Sequence, residues 1–328
     1  MTSAMERIVN LSDMPERLRG GVVAIGNFDG VHRGHRVVLE RALEEAKVIG
    51  APPLVLTFDP HPRQVFRPDV PHFRLTPTAM KARLISALGF DAMVELPFSR
   101  EFAAQSAEEF IERILVSGLG IRHVVTGFDF HFGKDRRGGP AFLMASGEAH
   151  GFRVALVDAF RDEGAEVISS SRIRELLSAG DVAQAAGLLG YRYTVAATVS
   201  HGKQLGRTLG YPTANMALPK ANGLRHGIYA VRLRRADGSI HDGVASFGRR
   251  PTVDVDGEPL LETFVFDFSG DLYGETCQVS FFGWLRGEEK FDGLDALLEQ
   301  IKRDEAEARA LLAGVRPLSD LDRTVAFG

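Results

Sequence analysis

Two short segments hold most of the residues whose types and spacing suit chemistry. In the first, Gly26-Asn27-Phe28-Asp29-Gly30-Val31-His32-Arg33-Gly34-His35 follows the apolar run Val22–Ile25 and leads into a helical pattern. A glycine-bearing loop between a strand and a helix N-terminus is an anion site, because free backbone N–H groups and the helix dipole converge there. His32 and His35 stand three apart around Gly34, so near a helix start both imidazoles can face one phosphate. Protonated or N–H-donating, they would stabilise charge that grows on a phosphoryl group in a transition state. A tight turn with two surface histidines is the plainer alternative. The spacing also fits a zinc pair, but no HExxH context or third ligand accompanies it.

Ser169-Ser170-Ser171-Arg172-Ile173-Arg174 repeats the logic at a second helix start. Serines there cap and offer hydroxyls, while cations in the first turn oppose the dipole unless an anion binds. A capped surface helix with solvated arginines is the alternative. At another strand end, Gly127-Phe128-Asp129-Phe130-His131-Phe132-Gly133 precedes Lys134, Arg136 and Arg137. Aromatics there can stack on a planar ring beside a basic loop, though phenylalanines also serve simply as core.

The second segment runs from His201 through Gly202, Lys203, Gly206 and Gly210 to Thr213-Ala214-Asn215. Glycines four apart let backbone approach phosphates closely, but the order is not that of a Walker A loop, and a mobile loop is the alternative. Thr213 and Asn215 offer a hydroxyl and an amide two positions apart, a pair suited to sharing Mg²⁺ with phosphate oxygens. Further on, period two puts Glu262 on one face with Phe264, Phe266 and Phe268. A carboxyl among aromatics has a raised pKa and makes a good general base, unless it sits at a solvated strand end.

These residues need elements to position them. Val22–Gly26, Pro53–Phe58, Ala92–Leu96, His123–Gly127 and Arg153–Val157 read as buried strands. Helical patterns cover 36–49, 78–88, 107–117 and 171–179. The alternation predicts an α/β, doubly wound domain with a mainly parallel sheet. After Leu189 the pattern changes to strands at 193–200, 228–234, 240–247, 262–268 and 277–282, separated by Gly, Asp and Pro turns. That pattern predicts a small antiparallel β-barrel, with a closing helix capped by Asp292. The boundary falls near 187–192, giving domains 1–188 and 189–328.

Bulk composition fits this division. A chain of 328 residues with 45% hydrophobic and 25% charged content can build two cores. The net charge of −4 argues against a general nucleic-acid binder. Cys277 is the single cysteine, so no internal disulfide or cysteine metal cluster forms. The first twenty residues lack an apolar leader core, and charges interrupt every apolar run, so a cytoplasmic location without a membrane span is expected.

The motifs GNFDGVHRGH, DPHP at 59–62, GFDFHFG and SSSRIRELL resemble, in order, the adenylyltransferase half of the bacterial bifunctional riboflavin kinase/FAD synthetase family. GKQLGRTLGYPTAN, GIYAV, the RPT turn, ETFVFDFSGDLYG and FFGWLRGEEKFDGLDALLEQIKRDEAEAR resemble its kinase half. The resemblance implies a nucleotidyltransferase-like Rossmann domain followed by a kinase barrel. It implies ATP as co-substrate, a divalent cation such as Mg²⁺, and the flavins riboflavin, FMN and FAD as partners. It assigns ATP phosphates to Gly26, Asn27, His32, Gly34 and His35, with Ser170, Ser171 and Arg172 helping, and puts the Asp129–Phe130 loop near flavin or nucleotide. On the kinase side it assigns phosphates to Gly202, Lys203, Gly206 and Gly210, Mg²⁺ to Thr213 and Asn215, and base catalysis to Glu262. Ser171 replaces a more usual threonine and keeps the hydroxyl. Arg249 stands where asparagine is common, which leaves a ligand role there unassigned. Rival readings are an enzyme with one live head, or a flavin sensor that binds without turnover.

Overall fold

A computed structural model describes residues 5–201, 210–249 and 259–328. They fall into two compact units, one running up to His72 and over Thr76–Ser169, the other comprising Phe73–Leu75 and the chain from Ser170.

In the first unit the strands are β1 (Glu6–Ile8), β2 (Val22–Ile25), β3 (Pro53–Asp59), β4 (Ala92–Pro97), β5 (His123–Gly127) and β6 (Arg153–Val157). Helices α1 (Arg33–Ile49), α2 (Pro62–Phe66), α3 (Thr78–Ala87), α4 (Arg100–Ala103), α5 (Ala107–Glu109, continued to Leu119) and α6 (Pro140–His150) connect them. The sheet order is β1-β4-β3-β2-β5-β6, and every pairing is parallel. Each residue of Val22–Ile25 is buried, as a strand covered on both faces must be. The chain steps outward from β2 to β3 and β4, then returns to β5 on the other side of β2. That reversal opens a crevice between the carboxyl ends of β2 and β5.

The strands read from sequence agree with the sheet to within a residue or two, but besides the short helices α2 and α4 three features of this unit differ. Glu6–Ile8 adds an edge strand too short to show a period. Arg153–Val157 is not fully buried: it is the opposite edge strand, and Leu156 is 38% exposed. Pro140–His150, with apolar residues scattered around it, forms a further helix.

The second unit starts with α7 (Ser170–Ala179) and α8 (Val182–Leu189). Strands β7 (Thr194–Ser200), β8 (Thr213–Ala217), β9 (Gly227–Arg234), β10 (Ile240–Gly248), β11 (Leu260–Val265) and β12 (Thr276–Arg286) close an antiparallel barrel in the order β10-β11-β8-β7-β12-β9. Its interior takes alternate residues, among them Met216, Tyr229, Val231, Phe247, Leu261, Thr263, Val279 and Phe281. Thr213–Ala217 is a strand rather than part of the preceding loop, and it completes the ring between β7 and β11.

The closing helix α9 (Leu294–Gly314) packs on β9, β10 and β12. Its N-cap is Gly293, without a side-chain cap bond, and not Asp292. Leu294 is 54% exposed, while Ala308 and Leu312 are buried. Asp304 lies on the buried face because Arg286 meets it with two bonds, Nε to Oδ1 at 2.8 Å and Nη2 to Oδ2 at 2.7 Å. A buried carboxylate needs such a partner.

Candidate functional site

In the first unit, β2 stops at Ile25 and α1 starts at Arg33, leaving Gly26–His32 to turn the chain at the crevice. This turn is strained. Phe28 (φ 47°) and Val31 (φ 39°) adopt left-handed backbone, where a β-branched residue is a genuine outlier, and Gly30 is at φ 94°. Buried contacts hold it in place. Asp29 is 3% exposed, and its Oδ1 accepts the Thr76 N–H at 3.0 Å. The Gly30 N–H donates to Thr76 Oγ1 at 2.8 Å.

His32 is the N-cap of α1, its Nδ1 accepting the His35 N–H at 3.2 Å. That acceptor role places the proton of a neutral His32 ring on Nε2. The two imidazoles stack with centroids 3.5 Å apart and planes 18° from parallel. Gly34 permits this: a Cβ there would come within 3.2 Å of the His32 ring and 3.4 Å of the Ile168 carbonyl. His35 is held well below the ordinary imidazole range, first by burial and then by the like charges of His32 and Lys81. It is therefore a neutral ring at pH 7, and its Nδ1 is buried without a hydrogen-bond partner among the described residues. The sequence pattern leaves a protonated His35 open; burial and the charges of His32 and Lys81 favour the neutral ring in this structure.

Beneath the loop lies a residue that sequence reasoning missed. Lys81 of α3 is 1% exposed, and its Nζ donates to the Asn27 carbonyl at 2.7 Å and to Thr57 Oγ1 at 2.9 Å. Asn27 is exposed at the turn. Gly26 lies at the mouth of the crevice, where a Cβ would meet the Phe28 ring at 3.0 Å.

The 127–139 loop leaves β5 beside this turn, since Ile25 pairs with Thr126. Asp129 is exposed, and its carbonyl lies 2.8 Å from His131 Nδ1. Phe130 is half-buried and stacks on Phe132 at 5.5 Å. The aromatics thus divide: Phe132 joins the core, while Phe128 is 48% exposed.

In the second unit, Ser170 opens α7, with Ser171 and Arg172 in its first turn. Arg174 has a structural role, its Nε donating to the Phe73 carbonyl at 2.6 Å. Gly202, Lys203 and Gly206 lie outside the described residues, as does the RPT turn. Gly210, at φ 84°, turns the chain toward β8. Arg249 is exposed just beyond β10.

Strand pairing brings the remaining residues together. Asn215 stands directly opposite Glu262, and Glu262 opposite Ser246. Ser200 pairs with Asn215 from the other side, so four polar residues form a row across the barrel wall. Directly opposed residues have Cβ atoms roughly 4.5–5.5 Å apart, so their side chains share one face. Thr213 lies two residues along β8 on that face, with Asn215 Nδ2 at 3.1 Å from its carbonyl and 3.5 Å from its Oγ1.

Asn215 is 5% exposed, and its Oδ1 is buried with no partner among the described residues. A buried orphan carbonyl is costly unless a ligand completes it. A cleft of about 600 Å³ reaches this row, lined by Thr213, Asn215, Val265, Phe268, Asp271 and Tyr273 among others.

Glu262 differs in part from the sequence reading. It is half-buried in mid-strand beside Phe264, and the strand ends at Val265, so the aromatic face is shorter than period two implied. Asp267, at φ 53°, turns the chain away.

Comparison with known proteins supports the motif reading. A model of FAD synthetase matches residues 14–172, and one of riboflavin kinase matches residues 189–312. A bifunctional riboflavin kinase/FMN adenylyltransferase of Pseudomonas fluorescens is 42% identical over 94% of this chain and 98% of its own. The Escherichia coli K12 protein of the same name is 38% identical with the same coverage. A crystal structure described as a macrolide-efflux protein from Streptococcus pneumoniae superposes with a TM-score of 0.82 at 32% identity, covering 94% of this chain and 99% of that one. Among the described residues, no helix is long and apolar enough to cross a membrane.

Proposed function

The chain belongs to the bifunctional riboflavin kinase/FMN adenylyltransferase family, and from that premise we propose how its residues divide the two reactions. The enzyme phosphorylates riboflavin to FMN with ATP, then adenylylates FMN with ATP to give FAD and pyrophosphate. We assign the second reaction to residues 1–188 and the first to 189–328. One observation supports the division: the stacked His32–His35 pair and the Asn215–Glu262 pair lie in different compact units, although Ser170–Leu189 group with the barrel rather than with the parallel sheet.

In the kinase half, Glu262 takes the proton of the riboflavin 5′-hydroxyl. The freed oxygen attacks the γ-phosphorus of ATP, and ADP departs as the bridging P–O bond breaks. The row from Ser200 to Ser246 orients the hydroxyl and phosphates along one face. Thr213 Oγ1 and the orphan Asn215 Oδ1 are hard oxygen donors that fit Mg²⁺, which these two residues would hold together with ATP oxygens. When bound, the ion supplies neutralisation of the triphosphate charge. The family resemblance adds Gly202, Lys203, Gly206 and Gly210 to the phosphate-binding residues.

In the adenylyltransferase half, an FMN phosphate oxygen attacks the α-phosphorus of ATP in line, and the bond to pyrophosphate breaks without a covalent enzyme intermediate. The Gly26–Gly34 turn and the α1 dipole hold the phosphates. His32, with its proton on Nε2, and neutral His35 donate to the oxygens on which charge grows. Asn27 binds phosphates, and the loop bearing Asp129 and Phe130 borders the flavin or adenine; the family resemblance alone adds Ser170, Ser171 and Arg172. We place the reaction in the cytoplasm.

A time course tests the whole reading. With riboflavin, ATP and Mg²⁺, FMN should rise first and FAD should follow at its expense. Tight flavin binding with neither product formed would contradict it and favour a sensor.

A further inference from the structure

Lys81 is a buried cation that the chemistry described above does not use. It sits on α3, whose pattern gives no hint of a site, yet its ammonium donates to the Asn27 carbonyl of the Gly26–His32 turn, 54 residues away in sequence. Complete burial of a lysine is costly, and this one is retained with its donors aimed at the Asn27 carbonyl (2.7 Å) and Thr57 Oγ1 (2.9 Å). Thr57 Oγ1 itself lies 3.2 Å from the same carbonyl, so one triangle of contacts ties β3 and α3 to the phosphate turn.

We propose that Lys81 is a positioning residue for adenylyl transfer, fixing the Asn27 carbonyl below the turn so that the N–H of the same peptide, that of Phe28, faces the substrate phosphates. The Asn27 carbonyl belongs to the peptide that begins at Asn27 and ends at Phe28 N–H. Pulling that oxygen inward turns its N–H outward, because the two point in opposite directions across a planar trans peptide. The next residue, Phe28, carries φ 47°, a conformation that persists only where surrounding contacts over-determine it. Lys81 supplies such a contact on one side of the turn, and the Asp29–Thr76 pair supplies it on the other. The ammonium also adds fixed positive charge under the anion cradle, in keeping with the neutral state of His35 above it.

The inference rests on the adenylyl-transfer reading of residues 26–35, so the test uses the full chain and reads both heads. Lys81→Met keeps the volume of the side chain but removes both donors and the charge; Lys81→Arg keeps charge and donors. For Lys81→Met the kcat of FMN-to-FAD conversion should fall roughly 10- to 100-fold, the span usual for a misplaced site. KM for ATP should move less than about threefold, because the loss is in alignment and not in ground-state affinity. Riboflavin-to-FMN conversion should stay within about twofold, and Lys81→Arg should recover a substantial part of the lost kcat.

An unchanged adenylylation rate in a folded Lys81→Met chain would overturn the inference, and so would failure of Lys81→Arg to recover any rate. Should Lys81→Met fail to fold, Thr57→Val removes one corner of the triangle and leaves the lysine. It should still lower kcat for adenylylation several-fold, and an unchanged rate there would overturn the inference equally. If His32→Ala plus His35→Ala left adenylylation intact, the parent reading would fail. Loss in that variant with none in Lys81→Met and Thr57→Val would sink the Lys81 role alone.

Discussion

In the first unit the candidate phosphate-binding residues are ten consecutive positions, whereas in the second the candidate residues come from four strands that meet only when a barrel closes. The turn at 26–35 relies on backbone amides, a helix dipole and two stacked rings, all delivered by the junction of β2 and α1. The row of Ser200, Asn215, Glu262 and Ser246 relies on register, because a slip of one residue would turn every member to the other face. A local site tolerates change elsewhere but not in its own backbone. A distributed site depends on the integrity of the pairing that assembles it. The two heads should therefore be separable by point substitution, and the following outcomes break or sharpen that contrast.

The largest effect is expected at Glu262. Glu262→Gln keeps the shape and removes the base, and should lower FMN formation by about 10²- to 10⁴-fold while FMN-to-FAD conversion continues. Next comes His32→Ala with His35→Ala, which should cut adenylylation by about 10²- to 10³-fold and leave FMN formation unaffected. Chromatographic separation of FMN and FAD measures both, and parallel loss of the two activities in either folded variant would erase the contrast.

A smaller effect is expected at Asn215. Asn215→Ala removes the orphan Oδ1, so FMN formation should need a higher Mg²⁺ concentration and fall by roughly 10-fold at fixed metal, about 1.4 kcal/mol. A metal titration that superposes on the wild type would remove Asn215 from the cation site.

The smallest concerns pH. Burial lowers the His35 pKa well below 6.5, so between those two values the unfolded chain holds a proton that the folded chain lacks. Stability therefore rises with pH in that window and is lost as pH falls below about 6.5. Denaturation of the wild type and of His35→Gln across that window should show a steeper acid loss in the wild type. Equal slopes would mean that His35 is not neutral in the fold.

How much of this was legible in the residues follows the same division. The turn with His32 and His35 could be read because strand, glycines and helix start stand in one line of sequence. Even the separation by three matches the observed N-cap and first turn. Lys81 could not be read, since a lysine on a helix ordinarily marks a solvated face and its partners are 54 and 24 positions away. In the barrel, Thr213–Ala217 looked like the tail of a glycine loop. Only its pairing with β7 and β11 makes it a strand. Glu262 was found by period two, but the extent of its aromatic face was overstated because the left-handed Asp267 ends the strand pattern, which no periodicity reveals. Asp292 illustrates the limit of cap preferences: the helix begins one residue later, at a glycine without a side-chain cap.

The central claim is that each chain holds two independent heads acting in sequence on one flavin. Mixing two purified variants, Glu262→Gln and His32→Ala with His35→Ala, tests it most directly. Supplied with riboflavin, ATP and Mg²⁺, the first alone should make neither product and the second alone should stop at FMN, while the mixture should make FAD. A mixture that also stops at FMN, with both chains folded, would contradict the account.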